Sequence, residues 1–187
     1  AVIAEGGESG GHIGELTTMT LVPQGCDAVS VPVLAAGGIA DGRGIAAALM
    51  LGACGVQCGT RFLGAKECTV HQNYKDKIIK AKDIDTISTG KRLGHPIRCL
   101  KNPFSRAFFK QEYNPNISDE ELEQMGAGAL RKAAKEGDER NGSFMAGQCA
   151  AMVHKEQTAQ EMIEEMFCQA EQILNGASRF CREESDC

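Results

Sequence analysis

The first 60 residues alternate short apolar runs with polar, glycine-rich segments. Ala1–Ala4 and Val31–Ala36 have the length and composition of buried strands, with Pro32 tolerable at the start of the second. Asp41 predicts the N-cap of a helix that Gly52 ends. The alternation predicts parallel strands joined by right-handed crossovers, with strands at 1–5, 31–36 and 55–58 and helices at 17–25 and 43–51.

The pattern changes after Lys66. Prolines at 96, 103 and 115 interrupt a stretch that shows no clean period, which predicts an inserted subdomain. Capping boxes at Ser118 and Thr158 predict helices that run toward Lys135 and to about Leu174. Apolar residues recur at helical spacing in the last helix and predict one buried face, formed by Met162, Ile163, Met166, Phe167, Ala170, Ile173 and Leu174.

Composition narrows the functional classes. Of the 187 residues 42% are hydrophobic, which suffices for a core, and the net charge of −5 disfavours nucleic-acid binding. No apolar run reaches the roughly 18 residues of a membrane-spanning helix, so no membrane partner is expected. The chain opens on a strand without an initiator Met or signal peptide, and we expect it to begin within a longer protein. The nine cysteines include no C-x-x-C pair, which favours reduced thiols in the cytoplasm.

Charge is unevenly distributed along the chain. From Lys75 to Lys110 there are ten Lys or Arg residues and three Asp, a local excess of +7 that leaves −12 for the rest. The segment is either a solvated basic surface or a docking surface for an acidic partner or phosphate. If it docks an acidic carrier protein, charge reversal at Lys75, Lys77 and Lys80 should weaken that binding at low salt.

Two glycine turns, Gly37-Gly38 and Gly59-Thr60, follow neighbouring predicted strands and are separated by one helix. Backbone N–H groups of two such turns, with a helix N-terminus beside them, can bind an anion without a basic side chain. In (β/α) barrels a phosphate site lies after the seventh and eighth strands. A single glycine turn more often only reverses the chain, but two at this spacing favour a phosphate site.

His12 lies in a segment of residues 6–14 that contains five glycines and follows the first predicted strand. We expect this glycine loop to be flexible and to place His12 at the mouth of the site, beside the phosphate. A histidine there can donate or accept a proton near neutral pH, whereas the alternative is an ordinary surface histidine. The histidines and cysteines show no spacing typical of a metal site.

Four segments of the chain occur in the same order in a known family: residues 5–14, 35–42, 57–62 and 145–148. They resemble the flavoprotein family of nitronate monooxygenases and enoyl-acyl carrier protein reductase II. Residues 82–86, 94–98 with Lys101-Asn102, and 123–130 resemble the reductase branch more closely. The resemblance covers nearly the whole chain and implies an α/β fold, a partial TIM (β/α)8 barrel of the last three strands with a small inserted helical subdomain. The implied division is 1–70, 71–140 and 141–187.

The resemblance implies FMN as the cofactor, with its phosphate on the two glycine turns. His12 matches the active-site histidine of the family. The implied reaction is reduction of FMN by NADH or NADPH, hydride transfer to the β-carbon of a 2-enoyl thioester, and protonation of its α-carbon, which we assign to His12. The implied cofactor-binding residues are Gly11, Ala36, Gly37, Gly38, Gln57, Gly59, Thr60, Met145, Gly147 and Gln148.

The resemblance also implies an acyl carrier protein thioester as partner in fatty acid synthesis and a monovalent cation as activator, whose ligands the sequence does not place. It leaves a homodimer open. The main alternative is a nitronate monooxygenase, which would use the same histidine as a base on a nitroalkane. Two others are a barrel of the inosine-monophosphate dehydrogenase type, for which no nucleophilic cysteine is convincingly placed, and a fragment without activity. The first five barrel strands of the family are absent, so we do not expect a closed barrel.

Overall fold

A three-stranded parallel sheet forms the first part of the fold. The computed structural model describes residues 1–181. The sheet has the order β1 (Val2–Glu5), β3 (Val33–Ala36), β4 (Gly55–Gln57), and α1 (Thr18–Ala28) and α2 (Gly42–Met50) connect its strands. The predicted βα order is confirmed, and the sheet of the described residues is not closed into a barrel.

Local signals set the bounds of α2. The Asp41 carboxylate accepts hydrogen bonds from the N–H groups of Arg43 (2.9 Å) and Gly44 (3.4 Å) and so caps the helix. Gly52, just beyond the helix, has a φ of +98°, which favours glycine. Both predictions for this helix are confirmed.

The last helix, α7 (Ala159–Asn175), packs against α2. The two backbones approach so closely at Gly42 that a Cβ there would lie 2.4 Å from the backbone nitrogen of Ala170. Thr158 caps α7 through the predicted capping box. Met162, Met166 and Ala170 are buried. Met166 and Ala170 join a core that also contains Val22, Ala35, Ile39, Ile45, Ala48 and Ala53.

The predicted apolar face of α7 is wrong in part. Ile163, Phe167 and Ile173 are 46%, 56% and 39% exposed. Because Ile163 and Phe167 each follow a buried methionine by one position, they are rotated about 100° from the side that packs on α2. Only one side of this helix is covered by described residues.

The inserted region contains a second sheet. Its helices are α3 (Gln72–Ile79), α4 (Pro103–Glu112), α5 (Asp119–Gly126) and the short α6 (Ala129–Arg131). An antiparallel sheet of order β2 (Gly11–His12), β6 (Ile97–Leu100), β5 (Thr86–Thr89) lies beside them.

The prediction of a small helical subdomain is therefore wrong in part, because the region also contains an antiparallel sheet. The strands β5 and β6 are four residues each, too short for a clear two-residue period, and Gly90 and Gly94 reverse the chain between them with positive φ. The helix predicted from Ser118 toward Lys135 is also interrupted, because Gly128 adopts a φ of +72° after α5. The final residues of the predicted 141–187 segment, 182–187, lie outside the described residues.

Several residues of the basic segment make internal contacts. Lys75 is 5% exposed, and its Nζ donates a hydrogen bond to the Ala65 carbonyl at 2.7 Å. Lys77 lies 3.0 Å from the Glu139 carboxylate, and Arg98 donates to the glycine loop. The prediction that Lys75 belongs to an exposed basic surface is wrong, because Lys75 is buried. A buried ammonium group needs a hydrogen-bond acceptor, which the Ala65 carbonyl provides.

Two properties of the described residues bear on earlier predictions. The eight cysteines among them all have free thiols. Between residues 1 and 181, no helix combines the length and apolar character that crossing a membrane requires.

Candidate functional site

The two glycine turns lie side by side, because β3 and β4 are neighbouring parallel strands and both turns follow their carboxyl ends. Between them is a cleft of about 170 Å³, which we call the cradle. It brings together six of the predicted cofactor-binding residues: Ala36, Gly37, Gly38, Gln57, Gly59 and Thr60. Ser9, Gly10, Cys58 and Cys149 complete much of its wall.

Backbone geometry explains why glycine occupies the first turn. Gly37 has a φ of +100°, and a Cβ there would lie 2.8 Å from the carbonyl oxygen of Gly6. Gly38 has a φ of +74°, with a Cβ position 3.1 Å from the Cβ of Glu8. Two consecutive left-handed residues thus form a tight turn packed against the glycine loop.

Ser9 supplies the observation that fits a phosphate group. Its side chain is buried in the wall of the cradle, and its Oγ has no hydrogen-bond partner among the described residues. A buried hydroxyl without a partner is unfavourable, whereas a phosphate oxygen in the cradle would accept its hydrogen bond. The backbone N–H groups of the two turns are further donors for the same anion. Apart from Glu5, an exposed residue that also lines the cradle, the residues present therefore fit the phosphate of FMN.

The N-terminus of α2 does not supply free N–H groups to the cradle, whereas the short 3-10 helix Thr60–Gly64 begins within the second turn without a side-chain cap. The first N–H groups of α2 already have acceptors, because Asp41 caps Arg43 and Gly44, and Gly42 N donates to Gln169 Oε1 at 2.8 Å. The helix is thereby capped within the protein. The anion site must be built from the turns and Ser9 instead.

The glycine loop is ordered by hydrogen bonds and by a strand, which corrects the prediction that it is flexible. Gly6 N donates to Ala36 O at 2.9 Å, and Gly7 N donates to Leu16 O at 2.8 Å. Farther along, the loop forms β2, which pairs with β6 of the inserted region. The loop thus connects the parallel sheet with the antiparallel one.

His12 lies in β2, directly opposite Ile97 of β6. Its side chain is exposed and makes no hydrogen bond to any residue between 1 and 181. The preceding Gly11 has a φ of +82°, and a Cβ there would lie 3.6 Å from Met145 Sδ. The structure therefore brings Gly11 next to Met145, and His12 follows Gly11 in β2.

Residues 143–148 link the cradle to the glycine loop. Met145 is bridged to Cys99 of β6, and Tyr74 Oη donates to the Met145 carbonyl at 2.7 Å. Gly147 N donates to Thr60 Oγ1 at 2.8 Å. The same segment continues to Gln148, whose N–H donates to the carbonyl of Glu8 at 2.9 Å. Cradle, loop and segment thus form one connected unit.

Sequence reasoning missed three residues of this unit: Ser9, Tyr74 and Glu8. Burial raises the pKa of the Tyr74 hydroxyl above its ordinary value, so it serves as a hydrogen-bond donor and not as an acid. The Glu8 carboxylate accepts from the backbone N–H and the hydroxyl of Thr18, both at 2.9 Å. It holds the start of α1 against the loop.

Cysteine chemistry does not fit this site. Cys58 lines the cradle, and burial raises the pKa of its thiol to about 11. A nucleophilic cysteine needs a lowered pKa, which disfavours a reaction of the inosine-monophosphate dehydrogenase type. Within residues 1–181, no three His, Cys, Asp or Glu side chains are grouped so as to hold a metal ion.

Known proteins are similar in sequence to this chain over most of its length. The model of the nitronate monooxygenase family matches residues 1–169. A probable nitronate monooxygenase from Staphylococcus saprophyticus subsp. saprophyticus is 40% identical over 186 residues, covering 93% of this chain and 52% of the relative.

Two solved structures share the fold. FabK from Thermotoga maritima matches with a TM-score of 0.91 and 47% identity, covering 96% of this chain and 57% of FabK. A nitroalkane oxidase from Streptomyces ansochromogenes matches with a TM-score of 0.79 and 30% identity, covering 94% of this chain and 53% of the oxidase. The chain thus spans about half the length of these relatives.

Proposed function

Because this chain belongs to the nitronate monooxygenase family, we propose that it forms the carboxy-terminal half of an FMN-dependent oxidoreductase that reduces 2-enoyl-acyl carrier protein thioesters with NADH or NADPH. The observation that carries the proposal is the cradle, in which the unpartnered Ser9 Oγ lies beside the two glycine turns. The family and FabK depend on FMN, and this cradle has the chemistry that an FMN phosphate requires.

The residues of this chain hold FMN and position the substrate in the proposed enzyme. Ser9 and the two turns would hold the phosphate, and the 143–148 segment, fixed by Tyr74 and Thr60, would contact the flavin. When bound, FMN would supply the hydride for the β-carbon of the enoyl thioester. His12 donates the proton to the α-carbon, since its imidazole is exposed in β2, and the residue before it, Gly11, approaches Met145.

Similarity supports both the reductase and its main alternative. The chain is 47% identical to FabK, an enoyl-acyl carrier protein reductase II, and 30% identical to the nitroalkane oxidase. The alternative is a nitronate monooxygenase, which the name of the 40% identical curated relative supports. In that case His12 would remove a proton from a nitroalkane instead of supplying one.

The acyl carrier protein remains a proposed partner. The buried Lys75 and the paired Lys77 cannot test it by charge reversal, because both substitutions would disturb internal contacts. Exposed residues of the basic segment, such as Lys91 and Lys110, are the better positions for that comparison.

A comparison of two oxidants of the reduced flavin tests the proposed reaction. We expect the complete enzyme, reduced by NADH or NADPH without oxygen, to be reoxidised by a four-carbon 2-enoyl thioester within the time of a normal turnover. The flavin absorbance should recover and the saturated thioester should accumulate. Recovery only with oxygen, together with oxygen consumption on a nitronate and none on the enoyl thioester, would assign the nitronate monooxygenase reaction instead.

A further inference from the structure

A second cleft lies between the β5–β6 hairpin and helices α4 and α5, outside the cradle. Its volume is about 320 Å³. Its deepest residues are well covered, since Leu122 is 0% and Phe108 is 7% exposed. The lining is mostly apolar and includes Leu93, Ile97, Phe104, Phe108, Leu122 and Leu130. A cleft with this lining is suited to an apolar ligand.

One wall of this cleft is the sheet face that carries His12. Residues directly opposite each other on paired strands share a face, as do residues two apart along a strand. Ile97 is opposite both His12 and Thr89, and Cys99, two residues further, is opposite Met145. Thr89, Ile97 and Met145 line the cleft, so His12 lies on the same face at the end of the sheet.

The other face of the sheet has a different character. Ser88 and Arg98 are opposite each other and line a separate, more polar cleft with Glu8 and Lys91. A substrate beside His12 that extends along the sheet face of His12 and Ile97 therefore meets apolar side chains. The charged groups lie on the opposite face of the sheet. The one acidic residue of the apolar cleft, Glu123, is exposed.

We propose that this apolar cleft binds the distal, aliphatic part of the acyl chain of a 2-enoyl thioester whose reacting carbons lie beside His12. The proposal rests on the proposed reductase function and adds the site that sets chain-length preference. An apolar cavity of about 150 Å³ holds a benzene molecule of six carbons. The cleft here has about 320 Å³ and so has room for a chain of about ten carbons.

Chain-length preference tests this assignment. In the complete FMN-bound enzyme we expect kcat/KM for an eight-carbon 2-enoyl thioester to exceed that for the four-carbon thioester by about 250-fold, because each of the four additional buried methylenes contributes about fourfold. Ala127 lies in the wall of the cleft, is exposed and has an extended, unstrained backbone, so Ala127→Phe can place a large side chain over the cleft without displacing a buried one. This variant should reduce the ratio of the two kcat/KM values to less than about fivefold.

Two further variants separate filling from misfolding. Ala127→Ser keeps the volume of the side chain and should keep the wild-type ratio. Leu93→Trp fills the cleft from the opposite wall, in the hairpin turn, and should reduce the ratio as Ala127→Phe does. A wild-type ratio near one, or a high ratio that neither filling variant lowers, would overturn the assignment.

Binding of unreactive saturated acyl thioesters gives a readout that does not depend on turnover. Calorimetry should show tighter binding of the eight-carbon than of the four-carbon chain, and Ala127→Phe should remove the difference. If the enzyme reduces no enoyl thioester at all, the proposed function fails. The difference in binding between the two chain lengths still shows whether the cleft binds the acyl chain. Equal binding of both chains to the wild-type enzyme contradicts the cleft assignment even where the reduction itself proceeds.

Discussion

Gly37→Ala is expected to weaken FMN binding by about 100-fold or more. The substitution forces an L-residue into a φ of +100°, at a cost of about 1–3 kcal/mol, and brings its Cβ to 2.8 Å from Gly6 O. The turn must shift to relieve that contact. Hydrogen bonds to a charged group contribute about 1.5–3 kcal/mol each, so displacement of two phosphate donors gives the stated loss.

The measurement is a titration of the flavin-free complete protein with FMN, followed by flavin fluorescence. Gly52→Ala is the matched control, because Gly52 has nearly the same φ, +98°, but lies after α2, where its Cβ would meet the side chain of Cys26. The control should lose stability and keep its affinity for FMN. Equal FMN affinity of folded Gly37→Ala and wild type would show that this turn does not hold the phosphate.

His12→Ala is expected to slow the enoyl half-reaction by about 100-fold or more, the usual contribution of general acid catalysis. FMN binding and flavin reduction by NADH or NADPH should remain largely intact. The His12 side chain is exposed and makes no hydrogen bond within residues 1–181, so its removal should not disturb the fold.

Stopped-flow measurement of the two half-reactions separately decides the role of His12. His154→Ala is the matched control, since His154 is also exposed but lies outside the glycine loop. It should change neither half-reaction. Equal slowing of both by His12→Ala would assign His12 to positioning of the flavin, and no slowing would make it an ordinary surface histidine.

Features determined by neighbouring residues could be predicted from the sequence. Asp41 and Thr158 cap their helices through N–H groups within three positions, and Gly52 ends a helix through its own φ. The strand–turn–helix order likewise predicted that the two glycine turns lie next to each other, because parallel strands place their carboxyl ends at one edge of the sheet.

Features that depend on residues far apart in the chain could not be predicted. Ser9 is one serine in a polar loop, and only its burial in the cradle without a hydrogen-bond partner points to it as the proposed phosphate ligand. Tyr74 contacts Met145 across 71 positions. The pairing of the glycine loop with β6 joins segments about as distant, so the apolar cleft beside His12 leaves no local signal in the sequence.

The same limit explains the errors. Ile163 and Phe167 fit a helical apolar period as well as Met162 does, but only the position of α2 determines which of them is covered. The sequence alone predicts that Lys75 is an exposed charge. In the fold it is buried, and Ala65 O and the Glu156 carboxylate accept its hydrogen bonds.

The position of the FMN phosphate in a crystal structure of the complete enzyme tests the central claim most directly. We predict that the phosphate lies between the Gly37-Gly38 and Gly59-Thr60 turns, with one of its oxygens at about 2.5–3.0 Å from Ser9 Oγ. A flavin whose phosphate lies elsewhere, with Ser9 Oγ still unpartnered, would contradict the account.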